Sequence, residues 1–95
     1  MREMTVAIAG VRFQRGASEF LARLPVGTAL ILKREPDNPF DAFAIGIWRV
    51  GIKLGFVPKT SNVEVAWVLD AGTEVTAFFT GHQEAGTAMV TLAWS

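Results

Sequence analysis

The chain contains no cysteine, so disulfides and thiolate metal ligands are both excluded. It has a single histidine, His82, and a zinc site needs about four nitrogen, sulfur or oxygen ligands. No apolar run approaches the roughly 18 residues that would span a membrane. The N-terminus, Met1-Arg2-Glu3-Met4, lacks the long apolar segment of a secretory signal, and the expected compartment is the cytoplasm. There is no Gly-x-Ser-x-Gly elbow and no phosphate-cradling glycine loop. Ser18, Ser61 and Ser95 have no motif around them that would make a nucleophile. Asp37 and Asp41, four apart around Pro39, are a weak pattern for Mg²⁺. These absences point away from an enzyme and away from any cofactor or metal, and His82 is expected in a solvated hairpin loop.

Lys and Arg are also missing from one region: none follows Lys59. Between Arg2 and Lys59 nine cations face five carboxylates, whereas residues 60–95 carry four carboxylates and no Lys or Arg. The net charge is zero, which argues against coating nucleic acid by charge alone. Such asymmetry suggests an anionic partner on the basic half, unless the two halves interleave and the charges mix.

What is present is a core. Hydrophobic residues make up 51% of the 95, enough for one domain over 1–95. Alternation predicts strands over Met4–Val11, Ala29–Lys33, Ala42–Val50, Ile52–Val57, Glu74–Thr80 and Thr87–Trp94. A short helix is predicted over Ser18–Leu24, stopped by Pro25. A second is predicted over Asn62–Asp70, with Ser61 as N-cap, Glu64 completing a capping box and Gly72 beyond its end. The fold class expected is mainly β: a small OB-like or SH3-like six-stranded barrel with one or two short helices, Trp67 and Leu69 plugging one mouth.

Arg34-Glu35-Pro36-Asp37-Asn38-Pro39-Phe40-Asp41 is too rich in Pro, Asp and Asn for a strand or helix and predicts a rigid connection. Asn38 and the prolines read as its scaffold, and Arg34-Glu35 as its buttress. Arg12-Phe13 follows the first strand, Phe40-Asp41 ends this connection, and Lys59 follows Gly55-Phe56-Val57-Pro58. Two rings, two cations and one carboxylate at element ends form a candidate site for a single strand, rings stacking on bases and cations meeting phosphates. A carboxylate repels phosphates but accepts a hydrogen bond from a free sugar hydroxyl, found at a DNA terminus and along all of RNA. A plainer reading stands beside this one. Phe13 and Phe40 belong to the core, Asp41 caps the Phe43 N–H in an Asx turn, and Arg12 pairs with Glu35 or Asp37.

At these residues the chain resembles the HIRAN domain, in its stand-alone bacterial type. The matching stretches are Val6–Phe13, Leu30–Ile47, Lys53–Lys59 and the helix ending Leu69-Asp70-Ala71-Gly72, with residues 14–27 and 73–95 weakest. The resemblance implies an OB-like barrel, in a DNA-repair setting, that captures the 3′ end of single-stranded DNA. Carried over, Phe13 and Phe40 stack on the terminal bases, Asp41 accepts from the free 3′-hydroxyl, and Arg12 and Lys59 hold phosphates. A separate helicase or nuclease would act on the captured end, since no motor is attached. The family's studied members have tyrosines where this chain has Phe13 and Phe40, so stacking is kept and phenolic hydrogen bonds are lost. His82 is the only ring near the last hairpin, where some members carry an aromatic. The alternative is a protein-interaction or self-association domain on the same fold.

Overall fold

A computed structural model describes residues 1–95. Six strands form one antiparallel sheet: β1 (Arg2–Ala7), β2 (Ala29–Arg34), β3 (Ile45–Arg49), β4 (Ile52–Phe56), β5 (Thr76–His82) and β6 (Ala88–Trp94). Their order is β1-β6-β5-β2-β3-β4, and it curls into a barrel-like shape. Closure is incomplete. Between the outer strands only Ala9 and Phe56 pair, through reciprocal bonds of 2.8 and 2.9 Å. That contact depends on Gly55, whose backbone has φ 154°; a Cβ there would lie 2.4 Å from the Ala9 carbonyl oxygen.

The interior is filled from β2 to β6, with Met4 and Val6 of β1 partly buried against it. Leu30, Ile45, Ile47, Leu54, Phe79, Val90 and Leu92 are buried, and α1 (Ala17–Ala22) adds Ala17 and Leu21. The alternation of β6 is clean, every second residue from Ala88 to Trp94 facing in. The β3–β4 hairpin turns through Val50 and Gly51 at φ 44° and 79°, a type I′ pattern that puts a β-branched residue in the left-handed region.

Three sequence expectations are corrected. The first strand ends at Ala7, because Gly10 at φ 72° turns the chain into a 3₁₀ turn over Val11–Phe13. Helix α2 (Lys59–Asp70) starts three residues early, with Pro58 at the N-cap and no side-chain capping bond, so Ser61 lies inside the first turn. Trp67 does not plug the barrel: it is 66% exposed, and the inward arc of α2 is Asn62, Val65 and Ala66, flanked by Leu69. No helix is long and apolar enough to cross a membrane.

Candidate nucleic-acid interface

The end of β1 and the connection from β2 to β3 rise on the same side of the barrel. Gly10 starts the 3₁₀ turn, closed by Phe13 N–H to Gly10 O at 3.0 Å. Within the turn Val11 packs against the core, whereas Phe13 stands 75% exposed. The Arg12 guanidinium lies 4.8 Å above its ring, a cation–π contact, and makes no ion pair with Glu35 or Asp37. Glu35 is already held, accepting from Lys53 at 2.6 Å and from Asn38 Nδ2 at 3.2 Å.

The connection is a pair of nested Asx turns. Asn38 Oδ1 accepts from the Phe40 N–H, and Asp41 Oδ1 accepts from the Phe43 N–H, both at 2.9 Å. Glu35 N–H to Ala44 O at 2.9 Å closes the loop, and Arg34 ties it to α2 by donating to Ala44 O and to both oxygens of Asp70. With its backbone fixed, Phe40 is carried outward at 87% exposure. An exposed phenylalanine on a loop braced this heavily cannot be explained by packing.

Asp41 is fixed from both sides. Its Oδ2 accepts from Nδ2 of Asn62, the one buried polar side chain, at 2.7 Å. The Phe43 N–H and then Asn62 hold its carboxyl below the usual carboxylate range, helped by the charges of Lys59 and Arg34 and opposed by desolvation. The Asx-turn reading of Asp41 is therefore correct, and it leaves room for a second role. An ionised carboxylate has about four acceptor positions, and two are used.

Phe13, Phe40, Asp41, Phe56, Lys59 and Asn62 line one cleft of about 480 Å³. Four of the five residues singled out from sequence thus meet in one place. Arg12 does not line it. It lines a neighbouring cleft of about 390 Å³ with Ser18, His82 and Thr87, and Phe13 forms the wall between the two. Phe56 and Asn62 went unnoticed in the sequence because each falls in phase with a core face, Phe56 on β4 and Asn62 on α2.

The charge question has a mixed answer. Arg2 pairs with Glu64 at 2.8 Å and Arg34 with Asp70 at 2.9 Å, so the basic and acidic halves do interleave. Lys53 is spent on Glu35 and on the Phe56 ring, 4.1 Å away. Arg12 and Lys59, the two cations at the clefts, make no ion pair.

The family model described as HIRAN domain matches residues 1–94. Among solved structures, a protein from Lactobacillus plantarum superposes with a TM-score of 0.80 at 26% identity, covering 96% of this chain and 95% of that one. The HIRAN domain of human HLTF superposes with a TM-score of 0.79 at 20% identity, covering 97% of this chain and 74% of that one. No curated protein matches the sequence.

Proposed function

The chain belongs to the HIRAN domain family, known for binding DNA and nucleic acid, and on that footing we propose that its larger cleft captures the free 3′ end of a DNA single strand. One observation carries the reading: two exposed rings, a carboxylate and an unpaired cation line a single cleft. Phe13 and Phe40 offer faces for the last bases, each stack worth about 1–3 kcal/mol whatever the base. Asp41 accepts from the terminal hydroxyl, its orientation set in advance by the Phe43 N–H and Asn62. Lys59, at the start of α2, neutralises a phosphate of the same strand. The cleft binds and orients; no step of chemistry is assigned to it.

An exposed Trp67 on α2 keeps the protein-interaction reading in view. The two separate in one titration. Labelled decathymidylate with a free 3′-hydroxyl is expected to bind more tightly than the same strand ending in a 3′-phosphate, which meets Asp41 as a like charge. Equal binding of the two removes end capture; no binding of either at tens of micromolar in low salt favours the interaction module. A matched RNA reports whether the 2′-hydroxyl matters.

A further inference from the structure

Outside both clefts, the part of the barrel made by β2, β3 and β4 is basic. These strands contain four of the nine Lys and Arg, namely Lys33, Arg34, Arg49 and Lys53, and no acid. Arg34 is committed to Asp70 and Lys53 to Glu35, whereas Lys33 and Arg49 make no ion pair. Trp48 lies at the centre of the outer face. Its indole folds back along β3 over Gly46, where a Cβ would stand 2.8 Å from the ring nitrogen. Gly46 has no positive φ, so its missing side chain serves the indole rather than the backbone. The ring nitrogen is shut off from solvent without a partner, so the half-buried indole offers its flat face and not its polar edge.

Rings and ammonium groups alternate from Trp48 to the larger cleft. A bulge in the β3–β4 pairing sets Lys53 opposite Trp48 and Phe56 opposite Gly46, which keeps both on the outer side. Phe56 also lines the larger cleft. The Lys53 ammonium is 4.1 Å from the Phe56 centroid and 5.8 Å from that of Trp48, and Lys33, opposite Gly46 on β2, stands 4.5 Å over the Trp48 ring. Ile31, opposite Trp48 and 54% exposed, extends the surface. The acid beside this row, Glu35, is covered by Lys53 and Asn38. We propose that this face is the track for the body of the strand: nucleotides on the 5′ side of the captured end leave the cleft past Phe56, a base stacks on Trp48, and Lys33 moves from the ring to the adjoining phosphate. A stacked base is worth more than the exposed cation–π contact it displaces. Strands without an acid suit the phosphates that follow. The track takes its starting point from the end-capture reading, and its test separates the two.

The test compares dithymidylate, whose two bases occupy the cleft rings, with decathymidylate, both ending in a free 3′-hydroxyl. Wild type is expected to bind the longer strand at least about tenfold more tightly, the scale of one stacked base. Trp48→Ala is expected to lose about tenfold on decathymidylate and nothing on dithymidylate, and Trp48→Phe to recover most of that loss. Lys33→Gln, at an exposed position, is expected to lower the slope of log affinity against log salt for decathymidylate by about 0.7, the single-strand value for one phosphate. Equal binding of the two lengths by wild type overturns the track. So does a Trp48→Ala variant that keeps the whole gain with length, or that weakens both lengths equally. Where Trp48→Ala does not fold, the salt slope of Lys33→Gln decides, and an unchanged slope overturns the track. End capture is read separately, from the preference for a 3′-hydroxyl over a 3′-phosphate. A gain with length that depends on Trp48 and Lys33, without that preference, removes end capture and keeps the track; the preference without the gain does the reverse.

Discussion

Two clefts share the Phe13 ring and treat charge in opposite ways. The larger holds a carboxylate whose two oxygens are already anchored by a backbone N–H and by Asn62. The smaller has Arg12, His82, Ser18 and Thr87 among its lining residues and no carboxylate. Surface charge alone did not expose this. The barrel is neutral overall, and three of its nine cations are consumed by Arg2–Glu64, Arg34–Asp70 and Lys53–Glu35. Specificity for an end, on this account, comes from one fixed acid between two exposed rings, in a cleft that shares Gly10 and Phe13 with its neighbour.

The comparison breaks most completely if the barrel seam opens. Gly55→Ala forces a Cβ against the Ala9 carbonyl oxygen at the single bridge joining β1's extension to β4. A stability loss of about 3 kcal/mol is expected in chemical denaturation, with strand binding reduced alongside it. Phe13→Ala removes the shared wall while leaving the core intact, since that ring is exposed. Strand affinity is expected to fall by about 10- to 100-fold, with unchanged circular dichroism. Asp41→Asn keeps an acceptor for the Phe43 N–H of the Asx turn, removes the charge, and sets an NH2 where Oδ2 accepts from Asn62. Discrimination between a 3′-hydroxyl and a 3′-phosphate is expected to shrink by about tenfold, read as a ratio of two dissociation constants.

Acidity sharpens the contrast further. Asp41 is held below the usual carboxylate range, so its contribution to folding is complete above the unfolded value near pH 4 and is lost as pH falls below it. Preference for a free 3′-hydroxyl over a 3′-deoxy end, neither of which titrates in this range, should thus stay level from pH 8 to 5. A hydroxyl preference that fades between pH 7 and 5 contradicts the assignment of Asp41. The smallest effect is expected outside both clefts. Trp67→Gln should change stability by no more than about 0.5 kcal/mol and leave strand binding alone; a large loss of binding would move the interface onto α2.

Much of this was legible in the sequence, for physical reasons that vary with the element. Strand β6 could be read directly, because strict alternation of Ala88, Val90, Leu92 and Trp94 allows little else. The Pro- and Asn-rich connection could be read as rigid, since Asn38 and Asp41 each close a turn on the residue two positions along. The start of α2 could not. Ser61-x-x-Glu64 fits a capping box, but Pro58 with its preset φ of −61° already begins the helix at Lys59. Nor could the facing of α2 be read: Val63, Ala66 and Trp67 make as good an apolar stripe as the true one, which contains a polar residue, Asn62. That asparagine is buried for Asp41, a partner 21 positions away, and local pattern carries no trace of such a bond. The bulge between Phe79 and Gly81, which sets the exposed His82 opposite Ala88 at the rim of the smaller cleft, is equally invisible, because it depends on how β5 pairs with β6.

The central claim is that this barrel grips where a strand stops. A covalently closed single-stranded circle and its linear form, cut once to leave a 3′-hydroxyl, have the same bases and phosphates and differ in having an end. The account predicts that in a gel-free titration the linear form binds at least about tenfold more tightly than the circle, the scale of one hydrogen bond to a charged group. Equal affinity for the circle and the line would contradict it.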